Sequence, residues 1–256
     1  MKEMEGQYAL ELIMKGKRID ERNFEDFREI KIEKNIISKA EGSARVKIGE
    51  TEVIVGVKLN TGEPFSDTPE EGVLIVNAEF TPLASPDFES GPPGEDAVEL
   101  ARIVDRGIRE SKCIEVGKLC IVPEEKVWMV FVDIHIINDQ GNLLDAAALA
   151  AIVALLNTKI PKIKDEEIVR GEYEKDLPVV FKPINIVVGK VGNNFLVDPN
   201  FEEEKILDAK LSVSVRDDEK ICALQKQGKN EVSMEDLEKM VDIAMKKSKE
   251  IRKLVK

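Results

Sequence analysis

The chain contains few of the residues on which common catalytic and metal sites depend. Its 256 residues include one histidine, His135, and three cysteines, Cys113, Cys120 and Cys222, with no C-x-x-C pair among them. These numbers exclude a disulfide framework and argue against zinc sites built from His and Cys. A catalytic triad would have to use the single histidine, and the sequence has no G-x-S-x-G motif. We therefore expect no metal site and no cofactor.

Long apolar runs and excess positive charge are also missing. No stretch approaches the roughly 18 apolar residues of a membrane-spanning helix. The first residues lack the basic, apolar and small-residue order of a signal peptide. We expect a cytoplasmic protein without a membrane contact. The net charge of −12 excludes a uniformly basic nucleic-acid-binding surface, but it does not exclude a local basic patch.

The composition that remains is that of a folded globular protein, with 43% apolar and 34% charged residues. Alternating apolar residues predict strands, and apolar residues spaced by three or four predict helices. The predicted helices cover about 4–15, 95–112 and 146–156, and a last helix begins after Ser233. The predicted strands and hairpins lie within 43–60, 72–80, 127–138, 183–199 and 210–228.

A charged segment with little apolar pattern, 156–178, marks a boundary between two halves. We assign residues 1–160, with the N-terminal helix, to the first half and residues 161–256 to the second. Each half contains strands followed by a helix, which is an α+β pattern with mixed sheets. The halves share no strong residue identity, so a repeat between them would be architectural.

Three of the ten arginines, Arg102, Arg106 and Arg109, lie on the helix predicted for 95–112. Offsets of four and seven residues place their guanidinium groups in a narrow sector beside the apolar stripe. Arginine binds phosphate or carboxylate through paired hydrogen bonds and keeps its charge. The alternative is solvated ion pairs, which the pattern alone favours. The acidic neighbours available for such pairs are Glu99, Asp105 and Glu110.

An acidic run in the second half is another candidate site. Paired carboxylates can bind Mg²⁺ or act as general acid and base. Charge runs are usually solvated surfaces, however, and the interleaved Lys205 and Lys210 favour a structural role. The run consists of Asp198, Glu202, Glu203, Glu204 and Asp208.

The turn before the alanine-rich helix is a further candidate, since helix N-termini bind anions. Leu143 and Leu144 are bulky and apolar there, and Asp145 would repel a phosphate. The pattern therefore predicts a poor anion site. His135 lies within an apolar strand, and we interpret it as a core or interface histidine.

The segments ARIVDRGIRES and GNLLDAAALAA are specific when they occur together in this order. With the segments around them, they resemble the RNase PH family from about residue 15 onward. The resemblance is strongest to one branch, the non-catalytic (forty-two-type) RNase PH-like ring subunits of the archaeal exosome. It implies two β-α-β-α halves of the ribosomal-protein-S5-domain-2 type. The most specific segments are ARIVDRGIRES and GNLLDAAALAA, supported by KRIDERNFEDFREIKIE, EGSARVKIGETEVIVGVKL and VDPNFEEEKILDAKLSV.

The resemblance also implies the reaction that the family's enzymes catalyse, and it implies that this chain has lost that activity. The family's enzymes degrade RNA from the 3′ end with phosphate, which a Gly-Ser/Thr-Arg-Ser/Thr motif holds at a helix start. Here that position reads Gly141-Asn142-Leu143-Leu144-Asp145, without the arginine or the hydroxyls. Glu204 falls near the family's catalytic aspartate, and either Asp208 or Lys210 falls near its second acidic residue. A site without its phosphate clamp cannot position the attacking oxygen, so we expect no catalytic residues.

Partners follow from the same resemblance. It implies a catalytic RNase PH-like subunit as partner, three such heterodimers in a hexameric ring, trimeric RNA-binding cap proteins and single-stranded RNA. It places Arg102, Arg106 and Arg109 on the RNA path, which reverses the preference for ion pairing. Two alternatives stay open: an active phosphorolytic enzyme that uses Glu204 and Asp208, and an RNA-binding scaffold outside any degradative assembly.

Overall fold

The computed structural model describes residues 2–165 and 167–255. Its helices are α1 (Lys2–Met14), α2 (Glu95–Glu110), α3 (Leu143–Leu156), α4 (Phe201–Glu204) and α5 (Met234–Arg252), with a short 3-10 helix at Val116–Leu119. Its strands are β1 (Ile30–Lys34), β2 (Gly42–Ile48), β3 (Thr51–Gly62), β4 (Val73–Glu79), β5 (Cys120–Val122), β6 (Lys126–Asn138), β7 (Lys159–Lys164), β8 (Glu167–Asp176), β9 (Ile184–Val191), β10 (Asn194–Val197), β11 (Ala209–Val215) and β12 (Ile221–Gln227). None of the helices in these ranges combines the length and the apolar character of a membrane span.

The first sheet has the strand order β1-β2-β3-β6-β4, and β5 adds to β6. Only β4 runs parallel to its neighbour β6, so the sheet is mixed. Val53, Val55 and Val57 alternate along β3 and are fully buried on one face. The β2–β3 hairpin turns at Gly49, whose φ of 58° is a conformation that glycine adopts without strain.

The second sheet has the order β10-β9-β11-β12 and is antiparallel throughout. Helix α3 lies between the two sheets and packs on β2 and β3 from one and on β9 from the other. Burial on both sides explains its alanine-rich sequence without a polar face. The elements read β-α-β-α twice, and the predicted α+β class with mixed sheets is confirmed.

The charged segment at the predicted boundary is more regular than its sequence indicates. It forms an antiparallel hairpin of β7 and β8, in which Lys162 and Lys164 both pair with Glu172 across the strands. Most of β8 is exposed, so charged residues occupy both of its faces. The period-two apolar pattern that reveals a strand is therefore missing.

Candidate functional site

The turn 139–142, which joins β6 to α3, lies beside a cavity of 250 Å³. Gly141 and Asn142 both have positive φ, 85° and 57°. A Cβ on Gly141 would lie 2.5 Å from the carbonyl carbon of Asn200, so only glycine fits this close approach. The turn therefore packs directly on the second half of the chain.

The cavity lining carries an excess of negative charge. Four carboxylate side chains face one lysine, and the rest of the wall is aromatic, aliphatic or amide. The lining residues are Phe80, Phe88, Asp96, Glu99, Leu100, Ile103, Asp139, Leu143, Leu144, Glu204, Lys210 and Gln227. Because walls of one charge sign concentrate the field within a cleft, this cavity disfavours anions.

Glu204 occupies the position next to the first turn of α3. The backbone N–H of Asn142 acts to lower the pKa of Glu204. The ammonium of Lys210 lies 3.6 Å from Glu204 Oε1. Burial raises the pKa of Glu204, an effect that Lys210 opposes and the charge of Asp139 strengthens. The cavity beside this helix start thus already contains a carboxylate of the chain itself.

The structure distinguishes the two residues that the sequence left open for the second acidic position. Lys210 lines the cavity beside Glu204. Asp208 instead accepts hydrogen bonds from the N–H of Gly192 at 2.7 Å and from Asn230 Nδ2 at 3.0 Å. Asp208 therefore stabilises the β9–β10 turn. It is not among the residues that line the cavity.

Asp145 links the two halves through α3. It is 3% exposed. It accepts hydrogen bonds from Asn142 Nδ2, Asn185 Nδ2 and the N–H of Val187 at 3.0, 3.0 and 2.9 Å. Burial raises the pKa of Asp145 to about 7, although these donors act in the opposite direction. Its side chain is directed to the backbone of β9.

Three arginines of the irregular segment 15–29 hold the acidic run in place. The guanidinium of Arg18 is fully buried and binds both carboxylate oxygens of Glu203. Arg22 and Arg28 both bind Asp198, Arg28 through Nε at 2.9 Å and Nη2 at 2.7 Å. Burial acts to raise the pKa of Asp198, but Arg28 outweighs it and the pKa lies below its ordinary value.

Asp198 and Glu203 are therefore not part of a solvated surface, since their side chains are fully buried in ion pairs, which is a structural role. Their partners lie about 170 or more residues earlier in the chain, so no local pattern could reveal them. Arg28 also donates to the carbonyls of Gln140 at 2.7 Å and Gly141 at 3.0 Å. The network therefore fixes the turn at the start of α3 as well.

Two of the three predicted arginines on α2 share one groove. Arg102 and Arg106 line a groove of 610 Å³ between α2 and β12. Arg106 Nη1 donates to Gln225 Oε1 at 3.0 Å. Arg102 is exposed and makes neither an ion pair nor a hydrogen bond within the described part of the chain. Its guanidinium remains available for an external anion.

Arg109 lies apart from the other two. Its Nη2 is 2.7 Å from Asp105 Oδ1, an ion pair one helical turn away, and also donates to the Leu74 carbonyl at 3.1 Å. The hydrogen bonds that Arg109 donates to the Asp105 carboxylate raise the pKa of Arg109. It lines a different groove, of 800 Å³, at the other end of α2. The ion pair considered as the alternative is thus present at Arg109.

The core alternative for His135 is wrong, and the interface alternative stays a prediction. Its side chain is 44% exposed, and Nδ1 lies 3.4 Å from Glu79 Oε2. Successive residues of a strand point to opposite faces, and on β6 it is Ile134 and Ile136 that face the core. Cys113 is a small buried hydrophobic side chain, and burial raises the pKa of its thiol to about 12.

Comparison with known families assigns both halves of the chain. Domain 1 of the 3′ exoribonuclease family, RNase PH, matches residues 26–161, and domain 2 matches residues 183–247. The chain belongs to the RNase PH family. This confirms the resemblance inferred from the motifs, and the fold agrees with it.

The relatives within this family extend over nearly the whole chain. The exosome complex component Rrp42 of Methanosarcina acetivorans is 47% identical over 249 residues, covering 96% of this chain and 91% of the relative. Rrp42 of Methanothermobacter thermautotrophicus is 51% identical over 240 residues, covering 93% and 89%.

Solved structures agree with these relatives. A chain of the Archaeoglobus fulgidus exosome with RNA bound to the active site superimposes with a TM-score of 0.95 at 46% identity, covering 100% of this chain and 99% of that chain. A chain of an archaeal exosome core gives 0.90 at 43% identity, covering 99% and 97%.

Proposed function

We propose that this chain is a non-catalytic component of the archaeal exosome, a 3′-to-5′ phosphorolytic RNA-degrading complex. In this role it shapes the active site of a catalytic RNase PH-like partner and supplies arginines that bind RNA. Its similarity to Rrp42 proteins and to chains of exosome structures supports the assembly. The observation that carries the non-catalytic part is the acidic cavity at the start of α3, whose single lysine, Lys210, pairs with Glu204.

The chemistry of phosphorolysis explains why this observation matters. A phosphate that attacks RNA must be held by cations and hydrogen-bond donors, since positioning and charge stabilisation supply most of the catalysis. Here the turn offers two leucines and Asn142, and the nearby Lys210 already pairs with Glu204. Asp208, which the active-enzyme alternative requires, is engaged in a separate turn.

The full chain alone is expected to release no nucleoside diphosphate from single-stranded RNA in the presence of inorganic phosphate. A mixture with its catalytic paralogue is expected to release it steadily. Thin-layer or liquid chromatography of labelled products measures both reactions. Robust phosphate-dependent release by the purified chain alone would refute the proposal and favour the active-enzyme alternative.

For RNA binding we propose that Arg102, Arg106 and Arg109 contact the phosphate backbone. The exposed and unpaired Arg102 supports this most directly, and Arg106 shares its groove. Arg109 would first have to leave Asp105, so its contribution should be the smallest. Phosphate contacts carry affinity without sequence information, which suits a complex that degrades any RNA.

Charge reversal of Arg102 or Arg106 to glutamate is expected to weaken RNA binding by the assembled complex about tenfold, since a charge-assisted hydrogen bond is removed. The slope of log affinity against log salt should fall by roughly 0.7 for each phosphate of a single strand that the variant no longer neutralises. Fluorescence anisotropy across a salt series measures both quantities. The matched control is Lys31→Glu on β1, the sheet edge remote from β4 and α2. Equal affinity and slope in all variants would contradict the arginine assignment.

The remaining parts of the proposal concern assembly and location. Three heterodimers with the catalytic subunit would form a hexameric ring that carries trimeric RNA-binding cap proteins. The two halves, 1–160 and 161–256, would act as one unit, because α3 packs on both sheets. The three free cysteines suit a reducing compartment, and we place the subunit in the cytoplasm.

A further inference from the structure

We propose that the free edge of β12 pairs with an edge strand of the catalytic partner, so that the second sheet continues into the neighbouring subunit. The inference rests on the proposed function and identifies a surface through which this chain assembles. Strand β12 is the last strand of its sheet, and its one neighbour is β11. No other backbone segment among the described residues hydrogen-bonds to it. Alternate N–H and C=O groups along its outer side are therefore open to a further strand.

The end strands of soluble sheets are usually protected against such pairing, and the other end strands of the two large sheets follow this rule. Strand β1 has three charged residues among five. On β4, the Leu74 carbonyl accepts a hydrogen bond from the Arg109 side chain. On β10, the N–H of Val197 donates to the Phe24 carbonyl. Strand β12 has neither device, since its first five residues are uncharged and no other backbone covers it.

The side chains of β12 indicate what kind of strand it would accept. Ile221 is 39% exposed and Leu224 is 41% exposed. Gln225 faces α2, where it binds Arg106, so its neighbour Leu224 points to the opposite face of the sheet. Exposed apolar residues on an unpaired edge are typical of a strand that another chain covers. The fitting occupant is an uncharged strand with apolar residues that pack beside Leu224.

The position of β12 favours the catalytic partner as the owner of that strand. Gln225 lines the same groove as Arg102 and Arg106, and its Oε1 accepts from Arg106 Nη1 at 3.0 Å. A strand added to β12 would lie about 4.8 Å beyond it, so its subunit would border this groove. RNA held by the two arginines would then lie at the boundary with the subunit that degrades it.

Hydrogen exchange of the full chain, alone and mixed with its catalytic paralogue, tests the backbone pairing. In the free chain, about half of the amides in a peptide that covers β12 should exchange fast, because alternate N–H groups point away from β11. In the complex, exchange of these amides should slow at least about tenfold. The amides of β11 are the internal control, since this strand is paired on both sides and should show no change.

Charged substitutions on the edge test the same surface by affinity. Leu224→Lys and Ile221→Lys should each weaken binding of the catalytic paralogue about tenfold, because a lysine would have to be buried against the added strand. Both positions are exposed, so both variants are expected to fold. The matched control is Leu10→Lys, at a residue 39% exposed on α1, which packs on α4. Isothermal titration calorimetry measures all four proteins.

The outcomes separate this inference from the proposed function. A complex that forms with unchanged exchange in β12 would refute the strand pairing and leave the proposed function intact. Equal losses of affinity in Leu10→Lys and Leu224→Lys would indicate a general charge effect and would also count against the edge. If the wild-type chain formed no complex with the catalytic paralogue, the proposed function would fail, and the inference would fail with it.

Discussion

Replacing Arg18 with alanine is expected to lower the free energy of unfolding by about 3–5 kcal/mol, because the change leaves a buried carboxylate without its partner. Arg18 and Glu203 have no exposed side-chain surface, and the guanidinium binds both carboxylate oxygens. Arg18 also donates to the carbonyls of Val197 at 2.9 Å and Asp198 at 2.8 Å. The substitution removes the donor of Glu203 Oε1, while Glu203 Oε2 keeps the N–H of Asn200 and the Asp198 carbonyl keeps Arg22.

Urea unfolding followed by circular dichroism measures this loss. Arg102→Ala is the matched control, since it removes an arginine that is exposed and has no partner among residues 2–165 and 167–255. It should change the free energy of unfolding by less than about 0.5 kcal/mol. A loss of less than 1 kcal/mol in Arg18→Ala, on the order of an exposed ion pair, would contradict the buried pair.

Replacing Asp145 with alanine is expected to cost about 3 kcal/mol or more at pH 5. The substitution leaves three buried donors without an acceptor, and each such donor costs about 1–3 kcal/mol. These donors belong to Asn142, at the start of α3, and to Asn185 and Val187 on β9. The loss should therefore loosen the packing between the two halves as well as α3 itself.

The cost of this substitution should depend on pH. Burial raises the pKa of Asp145 in the folded state to about 7, above its value of 3.8 as a free side chain. The folded state thus binds the proton of Asp145 more tightly than the unfolded state does. The contribution of this proton binding to the free energy of unfolding is fully present only below about pH 4. It is lost as the pH rises through about 7, so the cost of Asp145→Ala should be roughly 2 kcal/mol smaller at pH 8 than at pH 5.

Denaturant unfolding of the wild type and of Asp145→Ala, each at pH 5 and at pH 8, measures this difference. Asp242→Ala, an exposed aspartate on α5, is the control and should show a small, pH-independent effect. If the cost of Asp145→Ala were the same at pH 5 and pH 8, Asp145 would have an ordinary pKa in the folded protein. If the cost were negligible at both, water would be satisfying the three donors.

Local patterns predicted most of the strands and helices because their apolar periods are clear. The β2–β3 hairpin, α2, α3 and α5 all follow from residues within one element, and each is present at nearly the predicted bounds. The β7–β8 hairpin did not follow, because its exposed faces carry no alternation. The motif resemblance was decisive for the family, since its segments are specific only in combination.

The candidate site shows where local reasoning ends. Residues 141–145 differ from the family's phosphate-binding motif, and this difference, visible in the sequence, indicated a missing phosphate clamp. That Glu204 and Lys210 line one cavity with Leu143 and Leu144, while Asp208 does not, depends on how α4 and β11 approach α3. These residues are about 60 positions apart in the chain, and only packing of the second half on the first brings them together.

The sequence by itself determined the class of fold, the family and the absence of the phosphate-binding residues, because hydrophobic periodicity and short motifs are sufficient to predict them. The tertiary structure decided which charges are buried and paired. Arg18, Arg22 and Arg28 look like solvated residues of an irregular segment, yet they neutralise carboxylates of the distant second half. The physical reason is that the ionisation and role of a charged group depend on its burial and partners, which distant parts of the chain supply.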